Sequence, residues 1–154
     1  LMSIIEAEGP LSLSLLARRI KNAYSLARVT DKIEKQVEMI LNSADVCKYK
    51  EGNTYYYMTK DMEGKGITAY RKTLPDDKER RFTDIAQSEI IAAITDVVKN
   101  PYTEKILIRD VTTLFGYPRL NAETESYIKN IIDIELLDGR LSKNSDGLIV
   151  RNNQ

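Results

Sequence analysis

The chain has 154 residues, 42% of them hydrophobic, with 23 basic side chains balanced by 23 acidic ones and no histidine. That length buries a real core as one domain or two small ones, while the charge balance excludes both a global basic field for a polyanion and an acidic tail for a basic partner. Without imidazole, and with Cys47 as the only cysteine, the chain lacks the usual general base, the usual transition-metal ligand, an internal disulfide and a thiolate zinc site.

Leu1 is not a natural initiator, so the chain is expected to be cut from a longer protein, beginning inside or close to its first helix. Residues 2–7 read as the end of that helix, stopped by Gly9-Pro10 through backbone freedom and a missing donor. Ser12 or Ser14 then caps a second helix running to about Ala23, with Leu13, Leu16, Ala17 and Ile20 inward and Arg18, Arg19 and Lys21 outward; Tyr24 falls on the same face as Leu16 and Ile20. After a short turn closed by Arg28, Thr30 caps a third helix that places Ile33, Val37, Ile40 and Leu41 on one face. Residues 46–49 and 55–58, rich in β-branched and aromatic side chains, read as strands around the turn Lys50-Glu51-Gly52-Asn53. Three helices followed by a hairpin is the order of a winged helix-turn-helix.

Residues 61–83 hold Gly64, Gly66, Pro75 and dense mixed charge, the composition of a linker. Beyond it, residues 88–99 supply a broad apolar helical face ended by Asn100-Pro101. Residues 106–115 form the next helix, Gly116-Tyr117-Pro118 a turn, Asn121 a cap, and residues 122–135 a third helix with Tyr127, Ile128, Ile131 and Ile132 inward. Leu141-Ser142 and residues 148–151 flank a turn ending in Asp146-Gly147, which makes a second, shorter hairpin.

The two halves are related. Sliding the chain by 91 residues aligns Leu16–Ile40 with Leu107–Ile131 without a gap, with five identities in 25 positions: Leu16/Leu107, Arg18/Arg109, Arg28/Arg119, Glu34/Glu125 and Ile40/Ile131. Average residue usage gives about one or two by chance. The expected fold is therefore mainly α with small β-hairpins, an α+β chain of tandem winged helix-turn-helix repeats: residues 1–60, a charged linker over 61–83, and residues 84–154.

Little of this supports chemistry. Asp61/Glu63 and Asp76-Asp77 are the close carboxylate pairs in loop sequence, and solvated neighbours lack the burial that tunes acidity. Gly64-Lys65-Gly66 lacks the spacing and the preceding strand of a phosphate loop. Cys47 has no imidazole to activate it, and its place in a strand favours burial. No catalytic residue, metal, cofactor or small-molecule substrate is expected. No apolar run suits a membrane helix and no signal peptide is visible, so the expected compartment is the cytoplasm, with no membrane partner.

Binding has more to stand on. The charge is uneven, with nine basic and seven acidic groups in residues 1–60 against eight and eleven in residues 84–154. Arg28, Thr30, Lys32, Lys35 and Gln36 lie at the start and on the outer side of the third helix, and Lys48 and Lys50 lie on the hairpin among Tyr49, Tyr55, Tyr56 and Tyr57. Those residue types suit phosphate and base contact, so these seven are the candidate nucleic-acid-binding residues. Asp31, Glu34 and Glu38 share the helix, and such alternation also describes an ordinary solvated face. In the second half Glu123, Glu125, Asp133 and Glu135 stand against Lys129 alone, which repels phosphates and suits protein docking. Arg28 and Arg119 are also candidates for pairing with a carboxylate at their turns.

EGPLSLSLLARRI, the turn with Arg28, the hairpin, RFTDIAQSEIIAAI and the second Gly-Tyr-Pro-Arg together resemble the carboxy-terminal domain of unknown function in large bacterial proteins related to superfamily 1 DNA helicases. Those proteins also carry a nuclease-like domain similar to very-short-patch repair endonucleases. The resemblance implies a non-catalytic accessory module of a DNA-processing protein, with DNA and the parent's other domains as partners. The alternative is an interdomain scaffold that binds no nucleic acid.

Overall fold

Side-chain caps and apolar spacing set the helix boundaries. The computed structural model describes residues 1–152, and there the chain is mixed α and β, with seven α-helices and five short strands. It divides into two compact units, one made of Leu1–Ile67 with Asp77–Ala86, the other of Thr68–Asp76 with the chain from Gln87 on.

In the first unit, α1 (Met2–Glu8) ends at Gly9, and β1 (Leu11–Ser12) leads directly into α2 (Leu13–Ala23), capped by the Ser12 hydroxyl accepting from Leu15 N–H at 3.2 Å. Thr30 caps α3 (Asp31–Ser43) in the same way, its hydroxyl accepting from Ile33 N–H at 3.4 Å. The hairpin is longer than its β-propensity suggests: β2 (Val46–Glu51) and β3 (Thr54–Thr59) pair over their full lengths, joined by Gly52-Asn53, with Gly52 at φ 56°. β1 pairs with the other edge of β3, Leu11 opposite Tyr57, giving a three-stranded antiparallel sheet with β3 at its centre. A central strand is covered on both faces. Tyr57 joins Ile5, Leu11, Leu15, Leu16, Val37 and Leu41 in one core, whereas Tyr56 stacks on Tyr49 with ring centroids 5.7 Å apart and donates its hydroxyl to Ile85 C=O.

The segment read as a linker is part of the units. Thr59 caps a short helix, α4 (Lys60–Lys65), and a 3-10 turn at Phe82–Asp84 carries Phe82, Ile85 and Ala86 into the interior. What holds residues 77–84 is charge. Arg18 and Arg19, expected to point outward, turn to them instead. Arg18 donates to Glu79 C=O at 3.1 Å, to Ser14 and to Asp84, and Arg19 bridges Glu8 and Asp77 at 2.8 and 2.5 Å, both guanidinium side chains being about one-sixth exposed or less. The Arg19 guanidinium, with amide bonds from Arg80 and Glu79 adding to it, holds the Asp77 carboxyl at about 2 against an ordinary 3.8. Because the folded value is depressed, the unfolded chain takes up this proton first. The pair's stabilisation, roughly 2 kcal/mol, is complete above about pH 5 and lost as pH falls through 4 toward 2. Urea denaturation of Asp77→Asn against the parent chain is expected to show a gap at neutral pH that closes near pH 2.

In the second unit, α5 (Gln87–Val97), α6 (Glu104–Leu114) and α7 (Ala122–Leu137) are followed by the two-stranded pair β4 (Leu141–Lys143) and β5 (Ile149–Arg151). Ile90, Ile94, Leu107, Val111, Phe115, Ile128, Ile131 and Ile132 form its core, each no more than 1% exposed. Residues 68–76 back the α6–α7 turn: Thr73 N–H donates to Phe115 C=O at 2.8 Å and the Tyr70 ring sits 5.5 Å from that of Phe115. Gly116 is required there. It adopts φ 92°, and a Cβ on it would stand 2.5 Å from the Thr73 carbonyl oxygen, a main-chain atom that cannot swing away. Gly116→Ala is therefore expected to lower unfolding free energy by about 2 to 3 kcal/mol, read from the shift in urea midpoint.

The 91-residue offset runs through the local structure of both units. Ser12 and Thr103 cap α2 and α6; Thr30 and Asn121 cap α3 and α7. Leu11 bonds to the second hairpin strand at Tyr57, and Tyr102 does so at Ile149. After α2, Tyr24, Ser25 and Leu26 N–H groups bond to Ile20, Asn22 and Lys21 carbonyls, and after α6, Phe115, Gly116 and Tyr117 repeat the pattern on Val111, Thr113 and Thr112. Burial departs from it at several places, among them Leu15, 1% exposed against 41% for Ile106. Tyr24 and Ile40, expected inward, are 74% and 56% exposed, while Phe115 and Ile131 at the matching positions are 0% and 1%.

Candidate functional site

Spacing along α3 explains what it presents. Lys32, Lys35, Gln36, Met39 and Ser43 recur at three- and four-residue intervals, one stripe of a helix, and all five are exposed, opposite buried Val37 and Leu41. Met39 is 69% exposed, an apolar side chain among cations. Among the described residues neither Lys32 nor Lys35 has an ion-pair partner. Arg28, just before the cap, is likewise exposed and makes no ion pair among those residues, so the expected carboxylate at its turn is missing; the same holds for Arg119. Thr30 has a different role. Its hydroxyl is committed to the cap, so it positions the first turn of α3.

Glu34 and Glu38 lean off the stripe and are half-buried. Glu38 accepts from Lys48 Nζ at 3.1 Å, tying the hairpin to α3, and this carboxylate together with the Tyr57 hydroxyl raises the Lys48 pKa above its ordinary value. The register puts Lys48 opposite Tyr57 and Lys50 opposite Tyr55, on one face of the sheet. Lys48 lies 4.4 Å and Lys50 5.4 Å from the centroid of the Tyr55 ring, which is 45% exposed. Arg28, Lys32, Lys35 and Gln36 thus share one helix and its approach, and the hairpin lysines gather around one half-exposed tyrosine. A depression of about 310 Å³ between the hairpin tip and the start of α2 is lined by Glu34 and Asp84 with Ser12, Ser14, Asn53 and Tyr55, polarity unsuited to a phosphate.

The matching stripe on α7 reads Glu123, Ser126, Tyr127, Asn130 and Ile134, and Lys129 is paired with Glu104 at 2.7 Å. Glu123, Glu125 and Asp133 are exposed as expected, but Glu135 is not: it is 3% exposed and held by Arg140 Nε at 2.7 Å. Such a carboxylate is anchored within the fold. Cys47 lies on β2 as the pattern predicts, half-exposed and not buried. Its Sγ donates to Glu63 at 2.9 Å, which raises the thiol pKa and opposes thiolate formation. Among the described residues no group of three Cys, Asp or Glu side chains is arranged to hold a metal ion, and no helix is long and apolar enough to cross a membrane.

The half-buried arginines are what sequence reasoning missed. Asp77, Glu79 and Asp84, which hold them, lie about 60 residues away, and the signal available was two adjacent arginines on α2.

Residues 1–35, which form α1, β1, α2 and the first turn of α3, match a family model described as "Protein of unknown function (DUF3320)". The match ends there, so the likeness reaches much less of the chain than the sequence resemblance suggests. No curated protein and no solved structure matches the chain.

Proposed function

We propose that the two units are winged helix-turn-helix units in tandem. In this reading the chain is a non-catalytic accessory module of a larger, cytoplasmic, helicase-related DNA-processing protein, and the first unit contacts nucleic acid through α3 and its hairpin. The observation that carries it is the sign of the exposed stripe: two lysines without ion-pair partners among the described residues, with a glutamine, on α3, where the matching positions of α7 hold glutamate, serine and tyrosine. In a winged helix the third helix enters the major groove and the hairpin meets phosphate or minor groove. Lys32 and Lys35 then meet phosphate or guanine, Gln36 reaches an adenine edge, and Lys48 and Lys50 steer the backbone. The repeated order of three helices and a hairpin supports the fold, and the sequence resemblance described above supports the parent context.

The test is fluorescence anisotropy of labelled duplex and single-stranded DNA with the full chain across a salt series. The full chain is needed because a piece ending at residue 60 loses Asp77–Ala86, the partners of Arg18 and Arg19. Steeply salt-dependent binding supports the reading; no binding at low salt, where phosphate contacts are strongest, overturns it. A docking role for the second unit has its own support, because α7 exposes Glu123, Glu125 and Asp133 together with Leu137 at 86%. A pull-down by the chain of the parent protein's other domains checks that role.

A further inference from the structure

We infer that the turn between α2 and α3 is a docking site for a peptide segment bearing an aromatic side chain, which meets the Tyr24 carbonyl and ring as Thr73 and Tyr70 meet those of Phe115. The two turns share three main-chain hydrogen bonds at the 91-residue offset, so they present the same carbonyl and the same ring position. On the second turn both are occupied. Thr73 N–H bonds to Phe115 C=O at 2.8 Å, the Tyr70 ring packs on the Phe115 ring at 5.5 Å and 59°, and Thr73 Oγ1 donates to the Tyr117 hydroxyl at 3.1 Å, leaving Phe115 0% exposed. On the first turn Tyr24 and Leu26, at the positions of Phe115 and Tyr117, stand 74% and 41% exposed. Apolar rings and branched side chains are buried wherever a covering element exists, and the second unit displays the element that covers this one.

Two differences define the occupant. Ser25, at φ 52°, takes the place of Gly116, and its Cβ keeps a peptide carbonyl from coming as close as Thr73 O does, so the segment stands off the turn there and meets the Ser25 hydroxyl. Ile5 aligns with Asp96, which accepts the Tyr70 hydroxyl at 2.9 Å, so the first unit lacks that acceptor at the matching position. The occupant is therefore a peptide with Phe or Tyr at one position and a free N–H three residues later, the spacing from Tyr70 to Thr73. This surface is separate from the exposed stripe of α3.

The chain has no tryptophan, so Tyr24→Trp in the full chain places a single reporter at the site. Titration with a synthetic peptide of residues 68–76 is expected to give a saturable blue shift. Tyr70→Ala in the peptide, or Leu26→Asp in the reporter chain, weakens it about tenfold or more, as removal of a central anchor does. Isothermal titration of the unsubstituted chain with the same peptide gives a reading independent of the reporter. Absence of binding at millimolar peptide in both measurements, or equal binding of the Tyr70→Ala peptide, overturns the inference.

Discussion

Lys32→Glu combined with Lys35→Glu is expected to weaken binding of the full chain to a short DNA duplex by about thirtyfold or more, roughly 2 kcal/mol, while leaving the thermal midpoint nearly unchanged. Both side chains are exposed and without ion-pair partners among the described residues, so the fold loses nothing when they go. A polyanion loses two contacts and meets two repulsive charges instead. If both lysines touch phosphate, the slope of log affinity against log salt falls by about 0.9 for each. The reciprocal change, Glu123→Lys with Ser126→Lys, puts cations on the matching stripe of α7, and on the same reasoning strengthens binding at low salt. Anisotropy across a salt series reads both. An unchanged slope in the Lys32/Lys35 variant means the phosphates lie elsewhere.

The largest expected loss of stability comes from Asp84→Ala, about 3 to 5 kcal/mol, measured as the shift in urea midpoint at constant slope. Asp84 is 8% exposed. It accepts from Arg18, from Arg81 N–H at 2.7 Å and from Ser12 Oγ at 3.5 Å, and so joins α2 to the 3-10 turn that brings Ile85 and Ala86 inward. Removing it strands the Arg18 guanidinium, whose side chain is 14% exposed, with one fewer carboxylate and too little water to replace it. Arg18→Met with Asp84→Ala removes both charges and keeps the aliphatic bulk. The double variant is expected to recover at least about 1 kcal/mol of the single variant's loss, because an uncompensated buried charge costs more than an absent pair. Binding to DNA is expected to persist in the double variant, since neither residue belongs to the α3 stripe.

How much of this was legible depends on the range over which the deciding interaction acts. Thr30 and Asn121 were readable as caps because a cap is a bond to an amide three residues away. The outward stripe of Lys32, Lys35 and Gln36 followed from helical period alone. Thr103 escaped because the apolar pattern of α6 becomes clear only at Ile106, two residues past the true start. β1 is two residues long and exists because Leu11 and Ser12 meet β3 across more than forty residues, with no local pattern to announce it. Tyr24 and Ile40 fit the apolar spacing of their helices, yet spacing says which side a residue faces and not whether anything arrives to cover it.

By itself the sequence determined six of the seven α-helices, the caps at Thr30 and Asn121, both hairpins, the 91-residue recurrence and the sign of the exposed stripe, all consequences of backbone preference and period within a few residues. Tertiary structure alone decided that Arg18 and Arg19 are spent on Asp84, Asp77 and Glu8, that residues 61–83 belong to the two units, and that Phe115 is covered while Tyr24 is not. The physical reason is that ion pairing and burial depend on which distant segments meet, and a contact across sixty residues of chain leaves no periodic trace.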